Sequence, residues 1–380
     1  KNLKRNEIMI DLEELAQKYN DFIKPCYEII INDRKIESTF LNQELTVEIT
    51  TGFEAGFLQF KIWNAFEKDK QKQQLYSKKE ITSLLQLGNI VEAKIGYLKK
   101  ADTCVFKGYI DGIYMDYERN GEIVYTVECL DAKGIMMNSI HSETKKSIKK
   151  YSLAVEDILK KYTSVLKLKT EQFYTGDNTV NVLIEQHNES DYDFVVRMAK
   201  KIGCEFYIVA GNVIFQNIEE RQKQTAIKYH INSYIENVTI HSSLKEMVNH
   251  VIVKSNNETI PDKSFSAKAV YYAKTAESGK ITASSVSPLL TERVSKVITD
   301  MTVCSDTDAK QKAENYINYI AKSTITGKIT TVGIPELCAG TFCTLEGFGK
   351  PFDKKYYISK VIHSIKNGIF KTICDIEVNG

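Results

Sequence analysis

A chain of 380 residues with 43% hydrophobic and 26% charged side chains can bury a substantial core and is long enough for two or three domains. Its 51 Lys and Arg against 49 Asp and Glu leave a formal charge of +2, which argues against a protein built to hold nucleic acid, an anionic membrane or an acidic substrate. No apolar run approaches the roughly 18 to 20 residues that span a bilayer, so neither a signal peptide nor an anchor is expected, although the numbering starts at Lys rather than Met.

Taken in chain order, Leu12, Leu15, Ala16 and Tyr19 fall at helical spacing and predict a short amphipathic helix in an N-terminal arm, residues 1–24. From Tyr27 the texture becomes β. YEIIIND, LTVEIT, FLQFKIW, IVEAKIGYL, CVFKGYIDGIYMDY and IVYTVECLD are six runs rich in Ile, Val, Tyr and Phe, and they predict a small antiparallel barrel over 25–135. The polar stretch FEKDKQKQQLYSKKE is expected as an exposed loop or short helix. Trp63 is expected in the core, and Lys145, Lys146, Lys149 and Lys150 are expected as a solvated linker face.

Residues 136–228 alternate helical and strand patterns and read as an α+β insert. Ser152 is placed as the cap of one helix. A second helix is marked by Ser190 as N-cap, Asp191 and Asp193 in the first turn, the stripe Phe194, Met198, Ile202, basic Lys200 and Lys201, and Gly203 as the left-handed terminator. FYIVA and NVIFQ then form a hairpin about Gly211-Asn212. A second barrel is predicted over 229–380, with a polar extension at 255–287, a helix over 305–323 expected to pack across it, and a last strand burying Phe370, Thr372, Cys374, Ile376 and Val378. Two similar barrels point to quasi-symmetry.

The chemistry-bearing residues read as structural. The eight cysteines lack C-x-x-C spacing; Cys104, Cys129, Cys343 and Cys374 are expected as buried hydrophobes of strands, and Cys204 as a buried thiol. Glu189, Asp191 and Asp193 are assigned to helix capping, and His241, His250 and His363 to structural hydrogen bonding. Gly108, Gly112, Gly333, Gly340, Gly347 and Gly349 read as turns and bulges, since no phosphate-loop pattern surrounds them. No catalytic, cofactor or metal residue is predicted.

Three phrases carry a resemblance in their order and spacing: DLEELAQKYNDFIKPCYEIIIN with LLQLGNIVEAKIGYL and VFKGYIDGI; IEQHNESDYDFVVRMAKKIGCEFYIVAGNVIF; and TVGIPELCAGTFCTLEGFGKPFDKKYYISKVIHSI. From about Asp11 to Val378 the chain resembles the phage late control gene D family, the baseplate hub proteins of contractile tails, to which the N-terminal half of the valine-glycine repeat proteins of type VI secretion is related. The resemblance implies a mainly β fold of two tube-protein-like barrels joined by the α+β insert. It implies a non-enzymatic structural subunit, a homotrimer whose six barrels adapt a hexameric tube to a central spike. Expected partners are a separate spike protein (the chain stops at Gly380), a tail-tube or tube-initiator protein, baseplate wedge proteins and the tape-measure protein, without specific nucleic-acid binding. The expected location is the bacterial cytoplasm during assembly and then a virion tail or extracellular tail-like particle. The competing reading is a cell-wall-binding or peptidoglycan-hydrolysing baseplate component acting through the insert.

Overall fold

Period-two alternation sets the β architecture. In the last strand Phe370, Thr372, Cys374, Ile376 and Val378 are buried while Lys371, Ile373, Asp375 and Glu377 lie on the other face. The structure, a computed structural model, describes residues 10–63, 65–68, 75–117, 123–180, 183–218, 225–243, 248, 250–254, 269–272, 295–299, 309–310, 312–313, 316 and 324–378. The protein is mainly β with an α+β insert.

The N-terminal helix α1 (Leu12–Lys18) begins at Asp11, whose carboxylate accepts from the Glu13 and Glu14 amides at 2.8 and 3.3 Å. Leu12, Leu15, Ala16 and Tyr19 are buried, and Ile10 bridges to Ile227 near the far half of the chain. Strands β1 (Pro25–Ile31), β2 (Leu41–Thr50), β3 (Phe57–Ile62), β4 (Ile90–Tyr97), β5 (Lys100–Tyr117) and β6 (Ile123–Leu130) match the six β-rich runs. The polar stretch after Trp63 is not simply a loop: Phe66–Lys68 pairs with Leu75–Ser77, and a short helix at Lys79–Thr82 buries Ile81. Residues 69–74 of it lie outside the described residues.

After β6 come helices α2 (Ala132–Asn138), which leads into the insert, α3 (Tyr151–Val165) and α4 (Asp191–Lys201), a two-stranded ribbon of β7 (Ile140–Thr144) and β8 (Glu185–Ser190), and the hairpin β9 (Cys204–Val209) with β10 (Asn212–Asn217). The hairpin turn is Ala210-Gly211, both at positive φ, one residue earlier than the sequence reading. Ser190 caps α4 by accepting from the Asp193 amide at 3.0 Å, and Gly203 follows the helix at φ +65°, both as predicted. Ser152 does not cap α3. It is buried inside the helix and bonds to Asp177, whose carboxylate also accepts the Ser152 amide at 3.2 Å, so a remote acid supplies the capping acceptor. The insert has its own core, including Val155, Ile158, Phe194, Val195, Met198 and Phe215.

Beyond the insert come β11 (Thr225–His230), β12 (Ile235–Ser242), β13 (Ile325–Val332), β14 (Phe342–Glu346), β15 (Lys355–Lys366) and β16 (Ile369–Val378). Between β12 and β13, strands His250–Lys254, Ala269–Tyr272 and Ser295–Thr299 form a separate small sheet. Of the predicted helix 305–323, residues 309, 310, 312, 313 and 316 are described as helical, and Ala309 and Ala313 pack against Val251 and Val253 of that sheet. The rest of that helix, and all of 255–287 except Ala269–Tyr272, lie outside the described residues.

Both β units join in one sheet. Its order is β12-β13-β16-β15-β2-β3-β6-β5-β4-β1 followed by Arg34–Lys35, with β14 on β15 and β11 on β14. The seam is β15 against β2, from Lys360 opposite Thr50 to Lys366 opposite Glu44. One hydrophobic core runs through both halves, from Ile29, Val47 and Phe60 to Ile329, Leu345 and Cys374.

His363 sits in this core with no exposure. Its Nε2 donates to the Leu337 carbonyl at 3.1 Å, and its Nδ1 accepts from the Thr372 hydroxyl at 3.1 Å, whose oxygen accepts the Ile334 amide at 2.9 Å. Burial pushes the imidazole pKa down from 6.5 to about 4. The unfolded chain therefore takes up this proton first as pH falls. Stability from the neutral ring is fully present above about pH 6.5 and is lost on descent toward pH 4, by about 3 kcal/mol. Urea unfolding at pH 7 and pH 4.5 checks this: the wild type should lose more stability on acidification than His363→Gln, which has no ring to charge.

Candidate assembly surface

Eight strands present one polar face. On β2, β3 and β6 it carries Glu44, Thr46, Glu48, Gln59, Lys61, Thr126 and Glu128, and on β15 and β16 it carries Lys360, Ser364, Lys366, Lys371, Asp375 and Glu377, while alternate residues enter the core. Four of its lysines are matched to carboxylates: Lys61 to Glu44 at 2.8 Å, Lys360 to Glu48 at 2.6 Å, Lys371 to Glu236 at 2.5 Å and Lys328 to Asp375 at 3.6 Å. At such exposure each pair contributes less than about 1 kcal/mol, but together they leave the face nearly neutral. The Lys61 side-chain hydrogen bond lowers the Glu44 pKa.

The face is a tandem of two four-strand units. From one end it runs β12-β13-β16-β15, then β2-β3-β6-β5. In each unit the first and second strands in chain order are neighbours, followed by the fourth and then the third. The registers agree as well. Thr46 pairs with Gln59 and Gln59 with Glu128; correspondingly Thr239 pairs with Lys328 and Lys328 with Asp375. The third and fourth strands of each unit share a bulge, between Ile110 and Gly112 in one and between Ile358 and Lys360 in the other, after which Gly112 faces Glu128 and Lys360 faces Asp375. At Gly327 a Cβ would stand 2.6 Å from the Thr239 carbonyl, so the approach of β12 to β13 requires glycine there.

Several residues singled out from sequence fall elsewhere. Trp63 is 40% exposed, a correction to its core assignment: Leu58, Phe60 and Ile62 point inward and the next residue is out of phase. Lys145 is buried, not solvated, and binds Glu143 at 2.6 Å and Asp157 at 2.7 Å. Cys129, Cys204, Cys343 and Cys374 are buried as expected, whereas Cys104 is only half-buried. His241 lines a groove on the polar face with Thr239, Thr326 and Lys328. Asp191 does more than favour the helix start: its buried carboxylate accepts from the Tyr162 hydroxyl at 2.6 Å and the Gln186 amide at 3.0 Å, with His141 Nε2 at 3.6 Å.

Sequence reasoning missed Asp131 and Lys133, both buried where the insert meets the first β unit. Asp131 caps α2 by accepting the Lys133 amide at 2.9 Å, and Lys133 Nζ donates to the Thr50 and Gly52 carbonyls at 3.0 and 3.2 Å. Burial raises the Asp131 pKa to about 6 and lowers that of Lys133. An acid and a base two residues apart in a helix cap carry no signal for this; only the end of β2 brings it about. Among the described residues, no group of three or more His, Cys, Asp or Glu side chains could hold a metal ion, and no helix is long and apolar enough to cross a membrane.

Solved structures share this fold at low identity. A 43 kDa tail protein of prophage MuSo2 from Shewanella oneidensis superposes with a TM-score of 0.70 at 12% identity, covering 93% of this chain and 98% of that one. A tail protein from Neisseria meningitidis MC58 gives 0.65 at 11% identity over 94% and 97%. An E. coli type VI secretion component, described as similar to T4 bacteriophage tail proteins gp27 and gp5, gives 0.54 at 11% identity over 94% and 77%. A search of curated proteins finds no match. The fold is thus that of phage tail proteins and of a type VI secretion component. The family model described as the Alg8 N-terminal domain matches residues 68–367, and the chain belongs to that family.

Proposed function

We propose that the chain is a structural subunit of the baseplate hub of a contractile tail-like machine, and that three copies form a ring adapting a hexameric tube to a central spike. The observation that carries this reading is the tandem of two equivalent four-strand units in one sheet. Two units per chain and three chains supply six similar elements, the number a sixfold tube meets, while the trimer matches a threefold spike. We read 25–135 and 229–380 as the two barrels, 136–228 as the insert and 1–24 as the arm.

The polar face is read as the wall of the ring's channel. Because Lys61, Lys328, Lys360 and Lys371 are each held by a carboxylate, a passing chain meets paired charges and a weak field, which suits conduction without retention. The subunit's task is symmetry matching and not chemistry. Its partners are a spike, the tube or its initiator, wedge proteins and the tape-measure protein, within a virion tail or tail-like particle.

Mass photometry at micromolar concentration tests the ring. The expected particle has three times the 43.3 kDa chain mass. A protein that stays monomeric over that range, and also binds neither spike nor tube protein, contradicts the reading.

A further inference from the structure

The arm ahead of β1 contains backbone that L-residues seldom adopt. Asn20, Asp21 and Phe22 are three consecutive residues at positive φ, +48°, +55° and +59°, and Lys24 follows at +55°. Asn and Asp tolerate the left-handed region, whereas Phe and Lys enter it at a cost, and L-residues visit it singly rather than in runs. Lys24 also precedes Pro25, whose ring pushes the residue before it toward an extended backbone. Strain is therefore concentrated in the five residues that join α1 to the sheet.

Contacts with both β units hold the arm in this shape. The Phe22 ring stands edge-on to Tyr97 of β4 at 5.8 Å and to Tyr234, just ahead of β12, at 5.4 Å. Tyr19 lies against the Tyr97 ring at 4.7 Å. Its hydroxyl donates to Glu336, between β13 and β14, and Lys18 Nζ donates to the same carboxylate at 2.9 Å. Tyr97 reaches across as well: it packs on Phe370 of β16 at 5.8 Å and donates to the Gly333 carbonyl at 2.6 Å, although β4 and β16 stand six strands apart in the sheet order. The sheet thus curls until its two units meet a second time, away from the seam, and the arm plugs the cleft where they meet. The plug is not a relaxed fit, since Glu336 Oε2 is buried with no hydrogen-bond partner among the described residues.

We propose that the arm is a strained strap: it locks the first β unit against the second across this cleft, and it opens as one piece while the sheet stays folded. Opening relieves the left-handed run, and the rings and the Glu336 carboxylate oppose it. With the strap open the units remain joined through β15 and β2, and Tyr97 crosses the cleft without cover, so the units can change their mutual angle there. The device acts within one chain and stands or falls independently of the ring.

Native-state amide exchange of the full chain, read residue by residue, tests this. The Tyr19 and Asp21 amides, bonded to the Leu15 and Ala16 carbonyls at 2.8 and 2.7 Å, report the strap, and the Leu98 amide, bonded to the Lys24 carbonyl at 3.0 Å, reports its hold on the first unit. All three should exchange together, about 100-fold or more faster than the amides of β16, and with little dependence on low urea because little surface is exposed. Lys24→Gly frees the residue before Pro25 without removing a buried side chain, and it should slow all three about three- to fivefold. Phe22→Ala removes two ring contacts and should speed them about tenfold or more. Arm amides that share the rate and urea dependence of β16 overturn the proposal, as do arm amides with no protection at all. A Leu98 amide that follows β16 instead of the arm overturns it too, and so does Lys24→Gly if it leaves arm exchange unchanged or faster.

Discussion

Replacing Lys133 with Met is expected to destabilise the fold by about 3–5 kcal/mol, because one partner of a buried charge constellation is removed while the other stays. The Met stem fills much of the same volume, but the Thr50 and Gly52 carbonyls lose their donor and the Asp131 carboxyl loses its nearby cation. The effect should depend on pH in a definite direction. Without the ammonium, the folded-state pKa of Asp131 rises further above its present value of about 6, so the folded form favours protonation more than the unfolded form does. Relative stability of the variant is therefore best below about pH 4 and is lost as pH rises through the folded pKa. Urea midpoints of wild type and variant at pH 5 and pH 8 should diverge more at pH 8. Equal losses at both would show that Asp131 is not the group left uncompensated.

Gly340→Ala should cost about 2–4 kcal/mol through two effects that a second substitution can separate. Gly340 has φ +87°, a region disfavoured for residues with a Cβ, and an added Cβ would stand 2.1 Å from the Tyr207 hydroxyl oxygen and 2.5 Å from its ring carbon Cζ. Tyr207 belongs to β9 of the insert and Gly340 to the segment before β14, so the clash falls where the insert docks on the second β unit. That docking is reinforced by Tyr357, which donates to Glu205 at 3.2 Å. In a Tyr207→Ala background the ring is gone and only the backbone term of about 1 kcal/mol should remain for Gly340→Ala. Additive losses in the double variant would locate the strain elsewhere.

Local signals in the chain were sufficient for elements whose determinants lie within a few residues. The alternation that makes β16, the Ser190 cap and the left-handed Gly203 all depend on neighbours in sequence, and each stands where the pattern placed it. Ser152 and Lys145 were misread for the opposite reason. Asp177, 25 residues from Ser152, supplies the capping acceptor, and Asp157, 12 residues from Lys145, draws its ammonium out of water. Trp63 was legible by parity alone, since it follows inward-facing Ile62. The joining of β2 to β15 brings Thr46 to Ser364 across more than 300 residues, and the second unit of the tandem is interrupted between β12 and β13 by a separate small sheet. Strand order of that kind leaves no periodicity in the sequence. The candidate assembly face was visible only as polar positions on strands; its continuity belongs to the three-dimensional arrangement.

The most direct test of the account is a cryo-EM map of the purified full chain at a concentration where it assembles. The account predicts a threefold ring in which each chain turns the polar face of β12-β13-β16-β15 and β2-β3-β6-β5 toward the channel, with six similar units around it. A twofold particle, or a threefold one in which the polar face lies on the outside, would contradict it.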